Sequence, residues 1–341
     1  MKRLLLGAVC ALSLTVGTVV QGNAEAADEI TVAALTFVSS SPLFIAQERG
    51  YYEEEGLDVS FEFFRAAQPV AVAIASGDAD FGVTAFTAGF YNLAANGSLK
   101  VIGAQSREEP GFEFSAYLAS NAAWEAGLKA PEDLPGHELG ITQRGSSFHL
   151  MLGLLAEELD FDVDAVKLTT LEAVPNMMSA VSTDQVDAVI LPGWLARRIE
   201  GEDGGRIIGW VHDYTPYQLG GLFTSSDNVE ERRDVVERFV RAYQRGAADY
   251  AEAFHRFDEE GNRVFGEEAE ALIPIIQQYT DATPDAIKAS ASYIDPEGAL
   301  DVGSVYQQVE WLQGQGLVAA QADPASFIDL SFIDSHFNLP E

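Results

Sequence analysis

The side chains best suited to chemistry are few and dispersed. The five histidines are His137, His149, His212, His255 and His336, and none stands four residues from another. The chain therefore offers no helical pair of metal ligands. Cys10 is the only cysteine, which excludes a disulfide framework and, once the leader described below is removed, a zinc–cysteine site or a thiol nucleophile. There is no G-x-S-x-G elbow and no phosphate-binding P-loop. Gly314-Gln315-Gly316 with Ala319 imitates a dinucleotide fingerprint, but it follows a helical stripe rather than a strand and reads as a helix end. Asp80-Phe81-Gly82 spells the kinase triplet without its companions, and Asn96-Gly97-Ser98 reads as a turn rather than a glycosylation site. The expectation is a protein that is not an enzyme and holds neither metal nor cofactor.

What remains is a set of polar, aromatic and basic residues where strand-like segments end. Thr36, Phe37, Ser39, Ser40 and Ser41 follow one such segment. Arg65 and Gln68 follow a second, and Thr84, Phe86 and Thr87 a third. Further along, Gln143, Arg144, Ser146, Ser147, Phe148 and His149 form a similar group, as do Pro192, Gly193 and Trp194. In parallel sheets, ligands sit beyond the carboxyl ends of strands, where the next helix presents unpaired N–H groups. Hydroxyls there can bind a polar ligand, aromatic rings can stack on a flat one, and an arginine can fork onto a carboxylate or sulfonate. Arg65 follows Val59–Phe64 and Arg144 follows Leu139–Thr142, so both are expected at a cleft.

The elements that would carry these groups alternate in type. Strand patterns at 30–35, 57–64, 80–84 and 99–103 are separated by helical stretches that open near Ser41-Pro42, Pro69 and Thr87. Ser41 and Thr87 are read as helix caps. After a strand at 113–119 and a linker at 130–136 the rhythm repeats. Strands are expected at 138–142, 166–170, 186–191 and 206–211, with helices at 146–159, 175–181 and 194–200. A segment at 219–224 can return the chain to the first unit. Beyond Ser226 the pattern is helical: Val236, Val240, Tyr243, Ala247, Tyr250 and Phe254 form one stripe, and Val302, Val305, Tyr306, Val309 and Leu312 another. Leu272–Tyr279 is expected to be a helix kinked at Pro274. This order predicts an α/β protein with mostly parallel sheets flanked by helices.

With 341 residues, 47% hydrophobic, the chain has room for two domains and a substantial core. Met1–Ala26 reads as a cleavable signal peptide: Lys2 and Arg3, an apolar run from Leu4 to Val20, then Ala24-Glu25-Ala26. Its removal leaves 52 of the 53 acidic and 18 of the 20 basic side chains. So negative a surface repels nucleic acid, which is excluded as a partner, and suggests a salty medium in which charges are screened.

Four stretches carry a resemblance. They are Ser41-Pro42-Leu43-Phe44-Ile45-Ala46-Gln47-Glu48-Arg49-Gly50-Tyr51-Tyr52 running into Glu55-Gly56-Leu57-Asp58-Val59, then Ser76-Gly77-Asp78-Ala79-Asp80-Phe81-Gly82-Val83-Thr84, then Leu128 to Gly140, and Val186-Asp187-Ala188-Val189. Over most of residues 28 to 320 the chain resembles the periplasmic solute-binding proteins of ABC importers for nitrate, taurine, alkanesulfonates and thiamine-pyrimidine precursors. The resemblance implies a two-lobed type II periplasmic-binding-protein fold. Lobe 1 would be residues 28–117 plus 221–341 and lobe 2 residues 118–220, joined by a two-strand hinge. It also implies a periplasmic monomer that closes over a small-molecule ligand and docks on an ABC permease in the inner membrane. A receptor feeding a sensor is an alternative. So is a thiamine-pyrimidine-synthase-like enzyme, although that branch relies on a cysteine-rich motif absent here.

The ligand-binding residues expected on these grounds are Thr36, Phe37, Ser41, Arg65, Gln68, Thr84, Phe86, Thr87, Gln143, Arg144, Ser146, Ser147, Phe148 and Trp194. The arginines favour an organic anion, such as a sulfonate or aromatic carboxylate. The aromatic rings leave open a neutral pyrimidine or related heterocycle.

Overall fold

Ile30, Val32 and Ala34 alternate along a segment whose two faces both become buried, the signature of a strand inside a layered α/β sheet. A computed structural model describes residues 26–333 and 336–338. The signal-peptide reading and Cys10 fall outside the described residues, Ala26 excepted. In chain order the strands are β1 (Asp28–Leu35), β2 (Leu57–Phe64), β3 (Phe81–Ala85), β4 (Leu99–Ala104), β5 (Ser106–Glu108), β6 (Ser115–Ala119), β7 (Glu138–Ile141), β8 (Lys167–Thr170), β9 (Ala188–Pro192), β10 (Arg206–Trp210), β11 (Tyr217–Gln218), β12 (Gly220–Ser225) and β13 (Tyr293–Ile294), followed by two short C-terminal strands.

Two five-stranded sheets result. The first has the order β2-β1-β3-β12-β4, and the second β10-β6-β9-β7-β8. Strands β1, β2 and β3 run parallel, as do β7, β8 and β9. The returning strand β12 is antiparallel to both neighbours, and β6 and β10 are the antiparallel members of the second sheet. Helices begin directly after six parallel strands: Ser41–Glu48 (after a short turn of helix), Ala67–Ser76, Ala88–Ala95, Ser147–Glu158, Val174–Ser182 and Gly193–Gly201. The six helix starts face one another across the space between the sheets, the arrangement that makes a cleft beyond strand ends.

The hinge differs from expectation in one respect. The chain leaves the first sheet through β5 and returns through β11, which pair antiparallel with Tyr217 opposite Glu108. The two crossing strands are as expected, and strand β13 pairs on the other side of β5 to make the hinge sheet three-stranded. All of β6 lies in the second sheet, so the first crossing precedes Ser115.

The C-terminal stripes fold as read except at Tyr306, which is half-buried. Helix Arg233–Phe254 buries Val236, Phe239, Val240, Tyr243, Ala247, Tyr250 and Phe254, and Phe239 stacks on Phe81 of β3 at 3.9 Å. Helix Val302–Gly314 buries Val302, Val305, Val309 and Leu312, and Gly314 is its last residue. Pro274 lies inside helix Glu267–Tyr279.

Candidate ligand site between the lobes

Each parallel strand delivers a short polar loop to the cleft, and the helix that follows fixes it. Thr87 caps Ala88–Ala95: its Oγ1 accepts from the Phe90 N–H at 3.0 Å and donates to Gln68 Oε1 at 2.5 Å. The hydroxyl is thus held by its own helix and by the helix after β2. Ser146 caps Ser147–Glu158 by accepting from the His149 N–H at 3.4 Å. Between these loops lies a cavity with about 700 Å³ of empty volume. The first lobe contributes Phe37, Ser39, Ser40, Gln68, Thr84 and Thr87. The second contributes Ser115, Thr142, Gln143, Ser146, Ser147, Phe148, Met151, Val174 and Pro192, and the crossing segments Gln105, Phe114 and Leu219.

The lobes touch on both sides of this space. The Ala88 N–H donates to the Gly145 carbonyl at 2.8 Å, and the Val174 N–H to the Arg65 carbonyl at 3.4 Å. Gly145 has φ +77°, and a Cβ there would lie 2.6 Å from the Ala88 Cβ, so only glycine permits this approach. Farther back, the His149 ring meets Trp311 edge-on at 5.2 Å, and Trp311 covers the bare Cα of Gly153.

None of the cavity-lining residues is charged. Ser40 Oγ and Gln105 Oε1 line the space, are buried, and have no hydrogen-bond partner among the described residues. Gln105 is oriented only by a 3.4 Å bond from its Nε2 to the Ser39 carbonyl. Behind the Ser146 cap, burial and the charge of Arg144 hold His149 down at about 4. Its neutral ring accepts the Gly145 N–H on Nδ1 at 3.0 Å and so steadies the loop that meets Ala88. The cavity can surround a small molecule with aromatic faces and single hydroxyl or amide groups; it brings no nucleophile–base pair together.

Of the residues singled out in the sequence, Phe37, Gln68, Thr84, Thr87, Gln143, Ser146, Ser147 and Phe148 line this cavity. Thr36, Arg65 and Trp194 line an adjoining outer groove, which Phe37 and Val174 share with the cavity. Three residues stand elsewhere. Ser41 is buried in the first turn of its helix and donates to the Val38 carbonyl at 2.5 Å; Ser40 occupies the cap position. Phe86 packs into the core against Phe90 and Tyr91, at 4.9 and 5.5 Å. Arg144 is exposed and lines neither space, leaving its neighbour Gln143 to face inward. Among residues not anticipated, Gln105 directly follows β4 and shares the strand-end signal, Ser115 opens β6, and Phe114 and Leu219 come from the crossings.

Residues 38–253 match the profile of the family described as NMT1/THI5 like. The chain belongs to this family. A riboflavin-binding protein of Chloroflexus aurantiacus, RibY, is 26% identical over 241 residues, covering 67% of this chain and 64% of that one. A Brucella abortus protein named only as a binding protein is 27% identical over 144 residues, and the match spans just 41% of its length. Among solved structures, the alkanesulfonate-binding protein SsuA of Xanthomonas axonopodis, bound to MOPS, superposes with TM-score 0.71 at 15% identity, over 90% of this chain and 100% of that one. The periplasmic nitrate-binding protein NrtA of Synechocystis gives 0.72 at 9% identity, over 90% and 87%. These likenesses establish the periplasmic-binding-protein fold for this NMT1/THI5-like chain. The desulfurization enzyme DSZB also shares it, with TM-score 0.60 at 13% identity over 89% and 97%, so the fold alone does not separate binding from catalysis.

Proposed function

We propose that this chain is the solute-binding component of an ABC-type importer. It acts as a periplasmic monomer, closes its lobes over a small solute and hands it unchanged to a membrane permease. The part of the solute held between the lobes is a flat, uncharged ring of the pyrimidine or related heterocycle class. Arg65 and Arg144, which favoured an organic anion, do not line the cavity, so the portion held there carries no charge. One observation carries the reading: a cavity lined without a single charged residue, with rings at Phe37 and Phe148 and unpartnered polar atoms at Ser40 and Gln105. Stacking faces and one or two hydrogen bonds suit a heterocycle, whereas a buried anion without a cationic partner would be costly.

A thermal-shift panel tests this, because a ligand that binds only the folded form raises its melting temperature. Uncharged heterocycles should raise it, and aliphatic sulfonates and carboxylates should not. A solute that binds should be recovered chemically intact after long incubation. Stabilisation by the aliphatic anions alone would overturn the ring reading, and product accumulating beyond one equivalent would overturn the carrier reading.

A further inference from the structure

The outer groove differs from the cavity in its chemistry. It has about 1080 Å³ of empty volume and opens beside Phe37 and Val174, which also wall the inner space. Arg65 lines it from the first lobe. Trp194 and Arg198, one helical turn apart on Gly193–Gly201, line it from the second. Trp194 Nε1 is buried and has no acceptor among the described residues.

Arg65 is unusual in this acidic chain. Every described arginine other than Arg65, Arg144 and Arg263 has a carboxylate oxygen within 4.0 Å. Arg263 instead donates to the carbonyls of Ala289 and Ala291. Arg198 is held only by Glu202, at 3.6 Å, and both side chains of that pair are largely exposed. Such a pair is worth little and yields readily to a competing anion. Asp281 and Glu202 are the acidic members of the wall, so the groove accepts a localised anion at the arginines rather than a spread of negative charge.

We infer that the ligand has two parts: a flat uncharged ring in the inner cavity, and a short anionic arm, carboxylate or phosphate, that passes Phe37 and Val174 to meet Arg65, Arg198 and the Trp194 N–H. The inference rests on the proposed ring-binding role of the cavity. Guanidinium forks from two lobes on one anion also join the lobes, so the arm contributes to closure as well as to affinity.

Two matched pairs of probes separate the arm from the ring: riboflavin with riboflavin 5′-phosphate, and uracil with uracil-1-acetic acid. Affinities are measured by calorimetry for the parent protein and for Arg65→Gln, Arg198→Gln, Trp194→Phe and Phe148→Ala, after melting curves confirm folding. The charged member of at least one pair should bind about tenfold or more tightly than its neutral parent, the gain expected of a charge-assisted contact. Each arginine substitution should remove most of that ratio and leave the neutral member unchanged. Trp194→Phe, which keeps a ring and removes only the donor, should remove a smaller part, and Phe148→Ala should weaken both members alike. The pair that responds distinguishes a phosphate arm from a carboxylate arm. Neutral members binding as tightly as charged ones would overturn the arm and leave the ring reading standing. So would a ratio that survives both arginine substitutions, or arginine variants that weaken both members equally. Binding of no member of either pair would overturn both readings.

Discussion

Among the regions that bury polar atoms without partners, the cleft and the hinge do so in opposite circumstances. In the cleft, the unpartnered Ser40 Oγ and Gln105 Oε1 belong to residues that line the cavity. In the hinge, both carboxyl oxygens of Glu108, the Tyr217 hydroxyl and Ser106 Oγ are equally unpartnered, yet none of these residues lines the cavity. Glu108 is fully buried opposite Tyr217, with Tyr117 also near it. Burial pushes its carboxyl up to about 8, and only Ser115 favours the ionised form. An orphan atom beside space can be satisfied by a ligand. One without space must be made cheap in some other way, and a carboxyl does this by keeping its proton.

The largest expected effect tests the hinge half of that contrast. The Glu108 carboxyl ionises near 4.5 in the unfolded chain and near 8 in the folded one. Between those values the unfolded state has lost the proton and the folded state keeps it. Glu108 should therefore contribute a slope by which stability falls as pH rises through this window and levels off above about 8, set against the opposite slope that His149 and His255, both kept neutral by burial, contribute below about 6.5. Glu108→Gln should abolish that slope and be the more stable by up to about 4 kcal/mol at the alkaline end, as the linkage relation requires. Urea unfolding at pH 5 and pH 8 measures both, and identical slopes for the two proteins would remove Glu108 as the cause.

Next in size is a test of the closed cleft. A methyl group at Gly153 would collide with Trp311, so Gly153→Ala must displace the ring or part the lobes. A loss of about 1–3 kcal/mol in ligand affinity is expected, as for an overpacked core site, and calorimetry reads it. Gln105→Leu sharpens the cleft half of the contrast. Replacing an atom that lacks a partner in the unliganded protein should leave its melting temperature unchanged or higher, while ligand binding weakens by about 1–2 kcal/mol. A stability loss in the empty protein would show that Gln105 has a structural task instead. Sodium chloride should have the smallest effect on the site. Screening of the acidic surface should raise the melting temperature by a few degrees, yet leave affinity for an uncharged ring unaltered, because no charged group lines the cavity.

The legible part of the fold was the part written in local signals. Thr87 announces itself because it precedes an apolar helical run, and it caps as expected; Ser146, placed inside its helix by the sequence, turns out to cap it. In the Ser39-Ser40-Ser41 run all three residues carry the same capping signal. A short turn of helix over Val38–Ser40 shifts the cap to Ser40 and sends the Ser41 hydroxyl backward. Phe86 and Phe148 both follow strands, but the chain turns after Ala85 and directs Phe86 inward among Phe90 and Tyr91. Arg65 and Arg144 likewise satisfy a positional rule that does not fix direction: one lines the outer groove and the other is exposed. Phe114 and Leu219 were illegible for a different reason. They reach the cavity only because the crossing segments run past it, which is a property of the assembled lobes and not of any window of sequence.

The contact that spans the cleft between Ala88 and Gly145, like the one between Val174 and Arg65, is made of main chain on both sides. Apart from the glycine at 145 and the His149 ring that steadies its loop, such a latch does not depend on the side chains that line the cavity. The ring-facing and hydroxyl positions of the cavity can therefore be exchanged through evolution, or by an engineer, without unfastening the lobes. Within the inner cavity, the choice of ring and the main-chain latch are thus separable, so a different ring can be accommodated by altering a few lining residues while the latch stays the same.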